Sequence, residues 1–198
     1  LETYGRWPWH RNVIAYLISK IIDAGAKVVG LDMVFAEPDP RVSEELAAVL
    51  RANGLEAHIF ANETDPVLAE TLLVHRSQTV LGWTTENACQ PGYNKFNDCP
   101  VTHEDAIATH PKGFEKFAYS SFDLGNGFDP QQTPLVSLVT FIPNLEMYNN
   151  AAIHAGSFNT WPDSDGFIRR TPLLIMANSR PYPCLLYTSP SPRDDELS

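Results

Sequence analysis

The feature that most limits the fold of this chain is a near-continuous apolar run at residues 28–35. A strand buried on both faces of a parallel sheet has this composition, because helices cover both faces of such a sheet. The run follows residues 8–24, which we predict to be a helix that ends at Gly25. The apolar residues at helical spacing in this helix are Val13, Ile14, Leu17, Ile18, Ile21 and Ile22. We expect this stripe to pack against the strand.

The alternation of helix and strand continues along the chain. An Asp-Pro pair at Asp39 begins a second predicted helix, and another at Asp65 begins a third. Short strands are predicted at His58–Ala61 and Thr79–Trp83. Elements that alternate at this spacing indicate an α/β fold, a layered sheet with flanking helices and mostly parallel strands joined by right-handed crossovers.

Residues 85–142 interrupt this alternation, because they are rich in Gly, Pro, Asn and Asp and have poor apolar periodicity. We interpret them as an insertion. Regular patterns return with a predicted helix at Asn144–Ala151. A C-terminal β-hairpin is then predicted, with strands at Ile153–Asn159 and Phe167–Met176 around an Asp-Gly turn.

Residues 185–198 have no apolar periodicity and no relation to the pattern before them. They resemble translated sequencing-adapter read-through, as at the ends of metagenomic fragments, so we predict a non-native tail; a natural linker rich in Pro and Ser is the alternative. Residues 1–184 would then form a single domain. No Met or signal peptide opens the chain at Leu1, and we expect truncation at both ends.

The charge balance argues against a nucleic-acid partner. The formal net charge is −10, and the one adjacent basic pair in the sequence is at Arg169 and Arg170. Proteins that bind nucleic acid present clusters of Lys and Arg to the phosphate backbone. The longest apolar runs also fall well short of the roughly 20 residues that span a bilayer.

Two segments, within residues 1–84 and 143–184, resemble the type-two CHASE domain, a sensory extracellular domain associated with cyclases and histidine kinases. The first combines an aromatic N-terminal motif with the apolar run, and the second combines an Asp-x-Asp-Gly turn with two arginines. The motif residues are Arg6, Trp7, Pro8, Trp9, Asp163, Asp165 and Gly166.

The resemblance implies a sensory domain on the periplasmic side of the bacterial inner membrane, between membrane-spanning helices. It also implies a cytoplasmic output module, which is a nucleotide cyclase, histidine kinase, diguanylate cyclase or Ser/Thr kinase. The input would be a small-molecule or protein signal, and a homodimer is compatible with this role. A stand-alone periplasmic binding or scaffold domain is the alternative, and a soluble α/β hydrolase is less favoured.

Three residues are candidate ligand contacts. Asp32 lies in the interior or C-terminal half of the apolar run, and Glu37 follows the run. Ligands of open α/β sheets bind beyond the carboxyl ends of strands. Arg169 is placed to hold an anionic group. The structural alternatives are a buried ion pair between Asp32 and Arg6 or Arg11, and a turn and helix cap at Glu37.

For Arg169, pairing with Asp163 or Asp165 is the alternative to ligand binding. The six histidines lack zinc-ligand spacing, and the sequence contains no phosphate-binding Gly loop and no nucleophile elbow. We therefore expect no metal, no cofactor and no catalytic residue, so the chain is predicted not to be an enzyme.

Cys89 and Cys99 lie ten residues apart in the insertion. A disulfide between them would stabilise a segment with little apolar pattern, and such bonds persist mainly outside the cytoplasm. Independent buried thiols are the alternative. Cys184 would stay unpaired or pair with a residue outside this sequence.

Overall fold

The chain is described by a computed structural model that covers most of its regular elements. The described residues are 7–39, 49, 52–53, 64–85, 88–89, 113–120, 136–138, 141–160, 162–163, 165–169, 171–177 and 180–188. Their helices are α1 (Arg11–Asp23), α2 (Thr64–Val74), α3 (Glu146–Ala151) and α4 (Leu185–Thr188), with a 3-10 turn at Glu115–Phe117. Their strands are β1 (Val29–Leu31), β2 (Thr79–Trp83), β3 (Ala88–Cys89), β4 (Val136–Leu138), β5 (Ala155–Ser157), β6 (Leu174–Ala177) and β7 (Arg180–Pro183).

The strands form two sheets. The first has the order β1-β2-β5 and is parallel throughout, with Leu31 opposite Leu81 and Leu81 opposite Ala155. The second has the order β3-β4-β6-β7, and its last two strands are antiparallel. A parallel sheet with flanking helices and a C-terminal antiparallel strand pair confirms the predicted α/β class.

Helix α1 forms within the predicted range, and its end at Asp23 is followed by Gly25, whose φ of 98° favours glycine. Its buried face is narrower than the predicted stripe. Ile14 and Ile18 are buried, whereas Leu17 is 43% exposed and Ile21 is 38% exposed. The apolar stripe therefore covers two faces of the helix, and one of them meets the core.

The prediction that residues 28–35 form a strand buried on both faces is wrong. β1 spans three residues at the edge of the sheet, and Gly30 is exposed. Phe35 belongs to the core although it lies beyond the strand. The run is apolar because it contains a short strand and then a loop whose aromatic end is buried. The described strands that are buried along their whole length are β2 and β5.

The C-terminal hairpin is present at a different place from the predicted one. The Asp-Gly turn does form, with Gly166 at φ 87° and the Asp163 N–H donating to the Phe167 carbonyl at 2.8 Å. The chain segments on either side of it do not pair with each other. β5 instead enters the parallel sheet beside β2, and β6 pairs with β7.

Gly156 lets β5 lie close to the backbone at the start of α4. A Cβ at this position would come within 2.5 Å of the Leu185 backbone nitrogen, so only glycine permits this approach. An isolated bridge joins Ser157 to Cys184 at the same place. β5 therefore lies between β2 and the backbone at Cys184.

An aromatic cluster joins the two sheets around Trp83, at the end of β2. The ring centroids of Phe114, Phe141 and Tyr182 lie 5.2–5.9 Å from that of Trp83. Burial raises the pKa of Tyr182 to about 12. Phe114 belongs to residues 85–142, so part of the predicted insertion packs into the core.

Several predictions fall on residues outside those described. They include the strand His58–Ala61, most of the second helix, Arg6 and Cys99. The disulfide between Cys89 and Cys99 therefore stays a prediction, while Cys184 is buried as a free thiol. The domain boundary after residue 184 also stays a prediction.

Replacing Leu31 with alanine tests the core at β1. Leu31 is 4% exposed, so Leu31→Ala should lower the free energy of unfolding by about 2–5 kcal/mol through lost burial and a residual cavity. Leu17→Ala, on the exposed face of α1, is the matched control and should change it by about 0.5 kcal/mol or less. Urea unfolding measures both, and equal midpoints would contradict the packing described here.

Candidate functional site

The residues that follow β1 form a loop, residues 32–39, at the carboxyl end of the parallel sheet. Ligands of open α/β sheets bind at this end, because the connecting loops form a crevice there. The loop is held by hydrogen bonds from three helical segments. The residues that form these hydrogen bonds therefore define the candidate site.

Asp39 connects the loop to α1 and α2. Its Oδ2 accepts hydrogen bonds from the Arg11 backbone N–H at 3.0 Å, from His10 Nδ1 at 3.1 Å and from the Thr64 hydroxyl. Burial raises the pKa of Asp39, but the hydrogen bonds from Thr64, Arg11 and His10 outweigh it and leave the pKa below its ordinary value. The carboxylate is therefore kept charged.

The contact between Asp39 and Arg11 also serves as the N-terminal cap of α1. His10, the residue in the capping position, makes no capping hydrogen bond with its own side chain. The first N–H groups of a helix need acceptors, and an anion there is favoured by the helix dipole. Asp39 supplies that acceptor from 28 residues away.

Asp65, in the first turn of α2, connects the same loop to α3. Its Oδ2 accepts the Asp39 backbone N–H at 2.9 Å, and its Oδ1 accepts the Tyr148 hydroxyl. Arg11 Nε lies 3.5 Å from Oδ1, an ion pair without hydrogen-bond geometry. Burial, together with the negative charge of Asp65, raises the pKa of Tyr148, so this phenol stays a donor.

Arg11 partly balances the two buried carboxylates. Its guanidinium lies 4.6 Å from the centroid of the Phe35 ring, and one of its amino groups donates to the Glu37 carbonyl at 3.2 Å. Two carboxylates and one guanidinium leave this cluster with a net charge of −1 when His10 is neutral. The electrostatic field of the site therefore favours a cation.

Asn144 fastens the loop to the sheet. Its side-chain oxygen accepts the Phe35 N–H at 2.7 Å, and its side-chain nitrogen donates to the Gly82 carbonyl at 2.7 Å. The next residue, Leu145, donates its N–H to the Phe35 carbonyl at 2.8 Å. A buried amide thus completes the hydrogen bonding of backbone that leaves the sheet.

The structure places Asp32 and Glu37 on this loop with exposed side chains. Asp32 is therefore not the buried carboxylate of the alternative interpretation, and Arg11 is paired with Asp65 instead. The chain bends at Glu37, whose carbonyl accepts a hydrogen bond from Arg11. Both candidate carboxylates thus lie on the loop that follows β1.

Arg169 lies in a separate turn. Its guanidinium is 2.8 Å from Asp165 and 3.3 Å from Asp163, and it lies 5.2 Å from the centroid of the Phe167 ring. The hydrogen bonds that Arg169 donates, first to Asp165 and then to Asp163, raise the pKa of Arg169. The hydrogen bond from Arg169 also lowers the pKa of Asp165. The contacts described for Arg169 all come from this turn, and none joins it to Asp32 or Glu37.

Sequence reasoning missed three features of the candidate site. They are Asn144, Tyr148 and the pairing of Asp65. The Asp-Pro pair at Asp65 indicated a helix cap and nothing more. A buried acid needs partners, but here they lie 26 and 83 residues away. A short sequence motif cannot reveal contacts between residues so far apart in the chain.

Two features are absent from the described part of the chain. Within it, no group of three or more His, Cys, Asp or Glu side chains is arranged to hold a metal ion. Of the helices in the described ranges, none is long and apolar enough to cross a membrane.

Comparison with known proteins gives one broad match and one partial match. A family model described as the CHASE2 domain matches residues 1–191. The chain is also similar to the taste receptor type 1 member 2 of Saimiri sciureus, with 33% identity over 108 residues. Those residues cover 53% of this chain and 12% of the receptor. No solved structure matches the chain.

Replacing Asp39 with asparagine tests the cluster. At pH 7 the Asp39→Asn variant should lose about 1–3 kcal/mol of unfolding free energy, because charge-assisted hydrogen bonds are lost in a buried place. The folded pKa of Asp39 is lowered, so its stabilisation is complete above the ordinary value of 3.8 and is lost as the pH falls through the folded pKa. The difference between variant and parent should therefore shrink from pH 6 to pH 3.

The matched control is Asp23→Asn. Asp23 is exposed, and its Oδ2 lies 3.8 Å from Lys20 Nζ. A surface ion pair of this kind contributes little to the free energy of unfolding. Urea unfolding across the pH series measures all three proteins. A pH-independent difference between Asp39→Asn and the parent would contradict the role assigned to the charge.

Proposed function

Because the chain belongs to the CHASE2 domain family, a family of sensory extracellular domains, we propose that it is the extracytoplasmic input domain of a bacterial transmembrane receptor. The family match across residues 1–191 is the observation that carries this proposal. The receptor would place the domain on the periplasmic side of the inner membrane. Its cytoplasmic output module would be a nucleotide cyclase, a histidine kinase, a diguanylate cyclase or a Ser/Thr kinase.

The proposed input site is the loop after β1, with Asp32 and Glu37 as ligand contacts. Both carboxylates are exposed, and the buried cluster beneath them has a net negative charge. A cation fits this chemistry better than an anion does. Arg169 contributes only in a state in which its turn releases it, because Asp163 and Asp165 hold its guanidinium.

The proposed mechanism uses the attachments of the loop. A ligand produces a signal only if it interacts differently with two states of the domain. A change in the loop at Asp32 and Glu37 would be passed to Asp39, which caps α1 and contacts α2. The domain itself performs no chemistry in this proposal, and catalysis belongs to the output module.

The reading frame of the intact gene tests the receptor context. We expect it to encode an apolar stretch of at least about 18 residues before the domain, at least two such stretches after it, and then an enzyme module. Long-read sequencing of the source DNA provides this information. A complete frame without such stretches would instead favour a stand-alone periplasmic binding or scaffold domain.

Cation titration tests the input site on the chain itself. The unfolding midpoint should rise with the concentration of CaCl₂ or of spermidine, because a ligand that binds the folded state stabilises it. Asp32→Asn combined with Glu37→Gln should weaken the effect at least about tenfold, which corresponds to roughly 1.4 kcal/mol of binding free energy.

The matched control for this titration is Glu70→Gln, an exposed carboxylate on α2. It should leave the response to either cation unchanged. Equal responses in the parent, the double variant and the control would mean that the cations act through general charge screening, and this result would overturn the assigned site.

A further inference from the structure

The chain enters helix α1 at the carboxyl end of the parallel sheet. At the start of α1, the Arg11 N–H donates to Asp39, in the loop after β1. Beyond the other end of α1, the Ala26 carbonyl accepts a hydrogen bond at 3.4 Å from the side chain of Gln78, which precedes β2. Helix α1 therefore runs antiparallel to β1 and β2. Trp7 stands just before the helix in the chain, so it lies at the carboxyl end.

The chain returns to the same end of the sheet after β7. Cys184 forms a parallel bridge with Ser157, the last residue of β5, and Ser157 lies opposite Trp83 at the end of β2. Because parallel segments run in the same direction, the chain at Cys184 is directed toward the carboxyl end of the sheet. The Cys184 N–H donates to the Leu173 carbonyl at 2.9 Å, so Leu173 lies at this end as well.

Apolar side chains are exposed in the segments at this end. Trp7 is 58% exposed and Leu173 is 59% exposed. Between Asn159 and Leu173 the chain leaves the end of β5 and returns to it. This segment carries Phe167 and Ile168, which are 65% and 58% exposed. Exposed apolar side chains that share one end of a domain are typical of a surface that contacts a partner or a membrane.

We propose that the carboxyl end of the parallel sheet lies on a lipid surface whose headgroups carry an ammonium group, with Trp7, Phe167 and Ile168 at the boundary between headgroups and acyl chains. The proposal rests on the proposed function, in which membrane-spanning helices precede and follow the domain. The connections to both helices would leave from this end, which brings it nearest to the bilayer. Tryptophan is enriched at this boundary in membrane proteins, because its ring is apolar and its N–H is polar.

The charges at this end favour one kind of headgroup. Asp32 and Glu37 are exposed on the loop after β1, and the buried cluster beneath them has a net negative charge. Asp163 and Asp165 already hold the guanidinium of Arg169, so it is not available to an anionic lipid. An anionic membrane surface repels carboxylates. The ammonium group of zwitterionic phosphatidylethanolamine attracts them.

A lipid surface fits this end of the domain better than a protein partner does. The centre of a protein interface is depleted of charged residues, whereas Asp32 and Glu37 share this end with the apolar side chains. A bilayer accommodates both kinds of group, because apolar side chains enter the acyl boundary while charged ones stay among the headgroups. Few side chains insert, so the isolated chain should bind weakly. In a receptor the membrane helices would supply a high effective concentration.

Vesicle flotation of the 198-residue chain, with lipid in large excess, tests the proposal. We expect binding to vesicles of phosphatidylethanolamine and phosphatidylcholine, and at least about tenfold weaker binding when phosphatidylglycerol replaces the phosphatidylethanolamine. Phe167→Ser combined with Ile168→Ser should weaken the binding to phosphatidylethanolamine vesicles at least about tenfold, because less apolar surface leaves water. Leu73→Ser combined with Val74→Ser is the matched control and should bind like the parent. These two residues are 51% and 69% exposed and end α2, just before the amino end of β2.

Tryptophan fluorescence gives a second measurement. Acyl chains that carry bromine quench a tryptophan only when they contact it, so binding of the parent to such vesicles should lower its fluorescence. Trp7→Phe should keep the binding, because it retains an apolar ring, but should reduce the quenching. Unchanged quenching in Trp7→Phe would overturn the proposal. Equal loss of binding in the two double variants would do so too, as would equal or stronger binding to the phosphatidylglycerol vesicles.

The outcome is separate from the test of the receptor context. If the chain binds no vesicles, the lipid contact is overturned and a protein is left as the occupant of this surface. A reading frame with membrane-spanning stretches on both sides of the domain would still support the proposed function in that case.

Discussion

Two neighbouring buried carboxylates determine how helices α1, α2 and α3 are joined. Asp39 and Asp65 are both less than a tenth exposed, and one guanidinium, that of Arg11, lies between them and the ring of Phe35. A buried charge costs several kcal/mol unless it is paired and hydrogen-bonded. The remaining compensation comes from the Thr64 hydroxyl, the Tyr148 hydroxyl and backbone N–H groups. Movement of α1, α2 or α3 would leave a carboxylate unsatisfied.

The contacts of these carboxylates also hold the loop after β1 in place. Its carboxyl end is tied at Asp39, and its middle is tied by Asn144 to the backbone of Phe35 and of Gly82. Between these ties the side chains of Asp32 and Glu37 remain exposed. In the proposed function, a ligand that contacts these side chains would change the hydrogen bonding of several helices at once.

Local periodicity predicts a good part of the fold. The helical spacing at Ile14 and Ile18 predicts α1, and the run Thr79–Trp83 has the bounds of β2. Prediction from local periodicity fails where one sequence pattern corresponds to two different local structures. The apolar run at 28–35 is a three-residue strand followed by an anchored loop, and the Asp-Gly turn at Gly166 does not pair its neighbours. β5 pairs with β2 and is bridged to Cys184 instead.

The sequence predicts where the candidate site lies but not which contacts form it. Acidic residues after an apolar strand indicate the carboxyl end of a sheet, which is where Asp32 and Glu37 lie. The cluster that holds them depends on contacts such as Phe35 with Asn144, which are 109 residues apart. No local pattern encodes such a pair. Conversely, Arg169 has a local explanation, since Asp165 lies four residues before it and accepts its hydrogen bond.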